Sequence, residues 1–255
     1  MVTWNPSQYL LFGNERLRPA LDLLARIAIQ SPASVYDLGC GPGTATALLK
    51  DRWPRAQVTG IDASSEMLDR ARALRSDIAW EAADLNAWHA QRPADVLYSN
   101  AALHWLDGHP VLFPHLLDSL RPGGVFAVQM PQNFSALTHT AIGEVIRGGP
   151  WQQRLEPHFR AHPTLDTMEY YHILRPHVSV IDIWETNYYH ILEGKDPIVE
   201  WTKGTSLRPV LTQMSAEETS VFLERYASLL RSAYPPQSDG TTILPFKRLF
   251  IIAQR

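Results

Sequence analysis

The chain has 255 residues, 45% of them hydrophobic and 19% charged, with a net charge of −3, enough to bury a sizeable core in one large domain or a core with a smaller addition. The near-neutral balance argues against a nucleic-acid partner, no apolar run of about 20 residues offers a membrane span, and the first residues do not read as a signal peptide. With Cys40 as its one cysteine the chain forms no internal disulfide, so the expectation is a cytoplasmic protein without nucleic-acid or membrane partners.

Residues 1–15 read as an arm that includes Tyr9 and Phe12. Pro19 is expected to open a helix in which Leu21, Leu24, Ala25 and Ala28 recur at helical spacing. A first strand at 34–38 runs into Gly39-Cys40-Gly41-Pro42-Gly43, followed by a helix from Thr44 to Lys50 that ends near Trp53. A second strand, 58–62, closes on Asp62, and Ser64 or Ser65 caps a helix with Met67, Leu68, Ala71 and Leu74 on its inner face. The third strand, 78–83, leads to Asp84 and Leu85, and the fourth, 95–99, to Asn100. A helix around 111–120 is expected to stop at Arg121-Pro122-Gly123-Gly124, before a fifth strand at 125–130. Strands alternating with helices of this length argue for an α/β fold, a parallel sheet with helices on both faces and its ligand at the carboxyl ends of the strands.

After Pro131 the rhythm breaks. Helices and loops occupy about 132–175, an alternating stretch at about 178–192 reads as a long strand, helices fall between about 196 and 234, and 243–254 closes the chain as a last strand. The expected organisation is therefore a nucleotide-cofactor core at 1–131, arm included, and a segment at 132–255 that adds helices and two closing strands to the same sheet. Of eight Trp, nine Tyr and ten His, three, six and five fall after residue 150, several of them beside Arg. Histidines 158, 162, 172, 177 and 190 lack a compact ligand spacing, so no metal is expected.

The glycine spacing narrows the cofactor. A dinucleotide loop needs G-x-G-x-x-G, yet Gly39-x-Gly41 is followed by Thr44, and Gly41-x-Gly43 by Thr46, where the third glycine should stand. That spacing disfavours an NAD-dependent oxidoreductase. The G-x-G-x-G run behind Asp37-Leu38 instead resembles the S-adenosylmethionine (SAM) loop of class I methyltransferases. In such a site Asp62, 19 residues after Gly43, can accept hydrogen bonds from both ribose hydroxyls, with Ala63 beside it. Asp84 can accept from an adenine amine while the Leu85 N–H donates to a ring nitrogen. Asp37 either meets the cofactor's amino group or orients the loop, and Asn100 stands where the crevice opens. Cys40 flanks the loop as a small packed residue. The cofactor-binding candidates are thus Asp37, Gly39, Cys40, Gly41, Gly43, Asp62, Ala63, Asp84, Leu85 and Asn100.

A wider set of segments carries a more specific likeness. Trp4-Asn5-Pro6-Ser7, Arg52-Trp53-Pro54, Ser99 to Leu106, Phe113-Pro114-His115-Leu116, Ala127 to Pro131, Val180 to Trp184, Tyr188-Tyr189-His190, Gly204 to Pro209 and Arg248 to Ile252 run nearly end to end. Together with the loop they resemble the trans-aconitate 2-methyltransferase family. The resemblance implies a Rossmann-like class I methyltransferase sheet with a helical substrate cap inserted after strand five. It implies transfer of a methyl group from SAM to one carboxylate of trans-aconitate or a closely related small polycarboxylate, giving a monomethyl ester and S-adenosylhomocysteine. A carboxylate is ionised at neutral pH, so no residue is required as a general base, and positioning carries the catalysis. The acid needs local cations, for which Arg is suited by its two-pronged geometry. The candidates are Trp105, Tyr171, Tyr189, His190, Arg208 and Arg248, with Lys203 a further cation and Arg208 expected in a loop. A methyltransferase for another small molecule, such as a phenol using His104 as base, and a non-catalytic SAM-binding module are the alternatives.

Overall fold

The computed structural model describes residues 13–255; the arm residues Tyr9 and Phe12 lie outside them. The elements in chain order are α1 (Gly13–Arg26), β1 (Ser34–Leu38), α2 (Thr44–Arg52), β2 (Gln57–Asp62), α3 (Ser65–Leu74), β3 (Ala79–Ala82), β4 (Ala94–Asn100), α4 (His109–Leu117) and β5 (Leu120–Pro131). They are followed by α5 (Leu137–Arg147), α6 (Gln152–Leu155), α7 (Thr167–Leu174), β6 (Val180–Leu192), α8 (Pro197–Lys203), α9 (Arg208–Leu211), α10 (Ala216–Ala233) and β7 (Thr242–Gln254). Among the described residues seven strands form one sheet, in the order β3-β2-β1-β4-β5-β7-β6. The five strands β3, β2, β1, β4 and β5 pair in parallel, whereas β7 runs antiparallel to β5. The strand order reverses between β1 and β4, the point at which open α/β sheets take their ligands, outside the carboxyl ends of the strands.

The chain folds as two compact units. One comprises residues 16–131, 163–186 and 248–255; the described parts of the other that follow β5 are 132–162 and 187–247. The core of the first unit is built on the sheet, where Leu97, Phe126, Val128, Met130, Leu249 and Ile251 meet Phe113, Leu116 and Tyr170 from α4 and α7. His109 links these layers. Its Nε2–H donates to the Leu103 carbonyl at 3.0 Å, which leaves Nδ1 to accept from the Tyr170 hydroxyl at 2.6 Å. The second unit has its own core, in which Ile142 and Ile146 of α5 and Trp151 pack with Phe222, Tyr226 and Leu230 of α10. Ser215 and Glu218 form a reciprocal capping box at the start of α10, and the Tyr226 hydroxyl donates to the Thr138 carbonyl at 2.6 Å.

Several sequence expectations change. Pro19 lies inside α1 rather than opening it; burial of Ala20, Leu23 and Leu24 offsets the lost backbone donor. Leu74, expected to face inward, is 52% exposed, because it ends α3 where the buried stripe of Met67, Leu68 and Ala71 has already passed. The helix expected to continue to residue 120 stops at Leu117, and Arg121-Pro122-Gly123-Gly124 belongs to β5 as an irregular stretch. Ala94 pairs with Leu120 and Val96 with Val125, so the extra residues of β5 bulge at this point. The sequence leaves the direction of the closing strands open, and β7 runs antiparallel to β5. Alternation of apolar residues marks a strand but carries no information on its direction. Arg208, expected in a loop, is the first residue of α9.

The bulge is held by Asp95, which is buried. Its Oδ2 accepts from the backbone N–H groups of Ala33 and Ser34 at 2.8 and 2.9 Å and from the Ser34 hydroxyl at 3.2 Å, while Oδ1 accepts from the Arg121 guanidinium. Burial opposes ionisation, but the Ser34 N–H and the Arg121 partner outweigh it and hold the carboxyl below its usual value. The stabilisation is therefore present at neutral pH and is lost on acidification through the lowered pKa. Asp95→Ala should cost about 2–4 kcal/mol in denaturant unfolding at pH 7, since two backbone donors lose their acceptor, and the gap to the parent should narrow as the pH falls below about 4. A loss under about 0.5 kcal/mol, or a gap that widens in acid, would refute this role.

Candidate active site

The loop from β1 to α2 is pinned from beneath. The N–H groups of Gly39 and Cys40 both donate to the Ile61 carbonyl of β2, at 2.8 and 2.9 Å, and Gly43 N–H closes a turn on the Cys40 carbonyl at 3.1 Å. All three glycines have positive φ: +74° at Gly39, +54° at Gly41 and +83° at Gly43. Their surroundings separate two purposes. A Cβ on Gly43 would sit 2.6 Å from the Trp80 ring and one on Gly39 2.3 Å from the Ala102 Cβ, so these two positions allow close packing. A Cβ on Gly41 would meet nothing within 4 Å, so Gly41 presents bare backbone to open space.

Asp62 closes this arrangement. Its Oδ2 accepts from Gly41 N–H and its Oδ1 from Ser64 N–H, both at 2.8 Å, which couples the loop to the start of α3. Each carboxylate oxygen retains capacity for a further donor. Ala63, next to it, is exposed. At the end of β3, Ala83 N–H donates to the Asp62 carbonyl at 3.2 Å. Asp84 is exposed and its Oδ1 accepts from both Asn86 N–H and Asn86 Nδ2, at 3.0 and 2.9 Å, which makes a turn; Leu85 is buried.

At the end of β4, Asn100 is half-buried, and its buried Oδ1 has no hydrogen-bond partner among the described residues. The next residue, Ala101, has φ +53°, a conformation costly for an L side chain and common at ligand sites. Trp105 is 51% exposed and lies against the buried His104, with ring centroids 4.8 Å apart. The loop, Asp62, Asp84 and Leu85, Asn100 and Trp105 thus all lie in the first unit, at or just beyond the carboxyl ends of four neighbouring strands.

Asp37 and Cys40 lie under the loop. Asp37 is buried and accepts from the Thr46 hydroxyl at 2.6 Å. Burial raises its pKa to about 7, against the opposing effect of the Thr46 hydrogen bond and with help from the Asp62 charge. Burial, with the charges of Asp37 and Asp62, also pushes the Cys40 thiol well above its usual pKa. A thiol so held is unreactive at neutral pH, in line with Cys40 as a small packed residue.

The candidates for holding an acid are spread between the units. Tyr171, on α7, and Arg248, buried on β7, belong to the first; Tyr189, His190 and Arg208 belong to the second. Tyr189 is 61% exposed while His190, its neighbour on β6, is buried and stacks on Trp201 at 4.4 Å between ring centroids, as alternation on a strand requires. Arg208 is half-buried, and Lys203 forms an ion pair with Glu200. Two residues went unnoticed in the sequence reading. Trp80 covers both Gly43 and Gly60, a long-range contact with no local signal. Gln129 is a fully buried polar residue in the otherwise apolar run Val125–Met130, and that interruption was visible.

The raised pKa of Asp37 has a definite sign. Between its unfolded value near 4 and its folded value of about 7 the native protein holds a proton that the unfolded chain has released, so stability falls as the pH rises across that window and levels off above it. Asp37→Asn removes this dependence. In thermal unfolding without cofactor, the Tm of the variant relative to the parent should rise by roughly 5 °C or more between pH 4.5 and pH 8. A difference that stays constant or shrinks would show that Asp37 is ionised in the folded protein throughout.

Known proteins match this chain at each level. A family described as "Methyltransferase domain" matches residues 35–124. Among solved structures, the YcgJ protein from Bacillus subtilis superimposes with a TM-score of 0.62 at 12% identity, covering 93% of this chain and 98% of its own, a likeness of fold. The trans-aconitate 2-methyltransferase of Azoarcus sp. (strain BH72) is 44% identical over 255 residues, 100% of both chains. That of Yersinia pseudotuberculosis serotype O:1b (strain IP 31758) is 45% identical over 254 residues, 99% of this chain and 98% of its own. With identity of this degree from end to end, the chain belongs to the trans-aconitate 2-methyltransferase family.

Proposed function

We propose that this protein is a SAM-dependent carboxyl O-methyltransferase that esterifies one carboxylate of trans-aconitate, releasing the monomethyl ester and S-adenosylhomocysteine. The observation that carries this reading is the 44–45% identity to trans-aconitate 2-methyltransferases along the full length, including the half beyond the cofactor-binding core. Two features of the site support the cofactor: the open side of Gly41 and the buried acceptor of Asn100. Gly39, Gly41 and Gly43 shape the loop, with Cys40 filling the space beneath. Asp62 accepts from the ribose hydroxyls beside Ala63, and Asp84 with the Leu85 N–H reads the adenine. Asn100 accepts from the amino-acid end, and Asp37 sets the loop from below.

The cofactor supplies an activated methyl group on a sulfonium. Once it is bound, its methyl group would be open to attack by a carboxylate oxygen of the acid, with the carbon–sulfur electron pair left on sulfur. No proton moves, so neither His104 nor another base is needed. The chain's contribution is to align oxygen, carbon and sulfur and to neutralise the remaining carboxylates. Arg248 and Arg208 are the guanidinium candidates for that purpose, and Trp105, Tyr171, Tyr189 and His190 the other candidates; Tyr189 and His190, adjacent on β6, face opposite ways, so only one of those two can serve. The helical segments about 132–175 and 196–234 act as the substrate cap. No helix among the described residues is long and apolar enough to cross a membrane, and the proposed location is the cytoplasm.

Purified protein incubated with labelled SAM and a panel of carboxylic acids and phenols should yield a labelled monomethyl ester with trans-aconitate. No turnover of that acid beside efficient methylation of a phenol would overturn the acceptor and leave the fold untouched; tight cofactor binding with no product from any acceptor would favour a binding module. Arg208→Ala should raise KM for the acid at least about tenfold, the weight of one lost charge-assisted contact, with KM for SAM nearly unchanged. Equal effects on both would remove Arg208 from the acid's site.

A further inference from the structure

Gln129 lies two residues before the end of β5, paired in register with Asn100 of β4 on one side and Phe250 of β7 on the other. Residues paired in this way point to the same face of a sheet. Gln129 is fully buried, and its Oε1 accepts from a terminal nitrogen of the Arg248 guanidinium at 3.4 Å. Because an arginine only donates, this contact sets the orientation of the amide and makes Nε2 a donor. That donor is buried and has no hydrogen-bond partner among the described residues. Burying an unmatched donor is costly, so such a group points to a missing partner.

The neighbouring row sorts the partners by chemistry. Asn100 Oδ1 is a buried acceptor and calls for an N–H or ammonium group, whereas Gln129 Nε2 calls for an acceptor, with the Arg248 guanidinium in contact with the same amide. A donor and a cation on one side chain pair suit a carboxylate. Arg248 stands on β7, three strand positions from β1 and its glycine loop, which is about 14 Å at the usual strand spacing. That places Gln129 two strands and Arg248 three strands away from the one that carries the glycine loop.

We propose that Gln129 Nε2, together with Arg248, seats one carboxylate of the acid acceptor, and that Gln129 is therefore a specificity-determining residue. This rests on the reading of the protein as a methyltransferase of small polycarboxylates. The test replaces the donor by a side chain of similar length, Gln129→Met, and separately introduces a negative charge, Gln129→Glu. Thermal unfolding and the affinity for S-adenosylhomocysteine serve as controls for the fold and the cofactor site. With trans-aconitate, Gln129→Met should raise KM at least tenfold and Gln129→Glu further, while the affinity for S-adenosylhomocysteine changes less than twofold. Among aconitate analogues that each lack one carboxylate, one should be turned over equally well by the parent and by Gln129→Met, since it leaves the seat empty; a purely structural role would penalise all of them alike. An unchanged KM for trans-aconitate would assign the donor to a trapped water, and a parallel loss of S-adenosylhomocysteine affinity would assign it to the cofactor; either result overturns the proposal. Failure of the parent protein to methylate any polycarboxylate would instead refute the underlying reading, and is seen before a variant is made.

Discussion

The Asp62 carboxylate is the interaction on which the site is built. It accepts from Gly41 in the loop after β1 and from Ser64 at the start of α3, so one side chain sets the loop against the next strand and its helix. The Ile61 carbonyl, one residue earlier, takes the N–H groups of Gly39 and Cys40. A loop with three positive φ angles in five residues would otherwise be free to move, because glycine loses more conformational freedom on folding than any other residue. Here nearly all its directional contacts go to two consecutive residues of β2.

Close packing then decides what each glycine does. Trp80 lies across Gly43 and Gly60, and Ala102 against Gly39, so the loop is walled by β3 on one side and by the turn after β4 on the other. Only Gly41 of the three faces open space. The strained Ala101 belongs to the same wall, since its N–H donates to the Gln129 carbonyl at 2.9 Å and so ties the turn to β5. The strained turn and the exposed backbone at Gly41 thus both lie just beyond the carboxyl ends of β1 and β4, where the strand order reverses.

Much of the core was legible because its signals are local. Strand β1 and the start of α2 follow from an apolar run, a glycine loop and a threonine, all within a dozen residues. The misreadings arose where a distant contact overrides local preference. Pro19 looks like a helix start, yet α1 continues through it because its buried face packs with the rest of its unit. Arg121 to Gly124 looks like a turn, yet Asp95 and the N–H groups of Ala33 and Ser34 draw it into β5 as a bulge. Tyr170 and Tyr171 are indistinguishable in sequence; the first is buried against His109 and Phe113 and the second is at the surface.

The sequence by itself determined the class of fold, the kind of cofactor loop and the acids that follow β2 and β3, because glycine spacing and strand-end residues act over a few positions of chain. Resemblance along the remaining segments pointed to the acceptor. Only the tertiary structure decided the direction of β7, the separation of the three glycines into packing and open positions, and the neighbourhood of Gln129, Asn100 and Arg248. Those three residues are far apart in the chain and meet because β4, β5 and β7 lie side by side. A polar group buried among apolar neighbours takes its meaning from its partners, and those are set by strand order and register rather than by the chain around it.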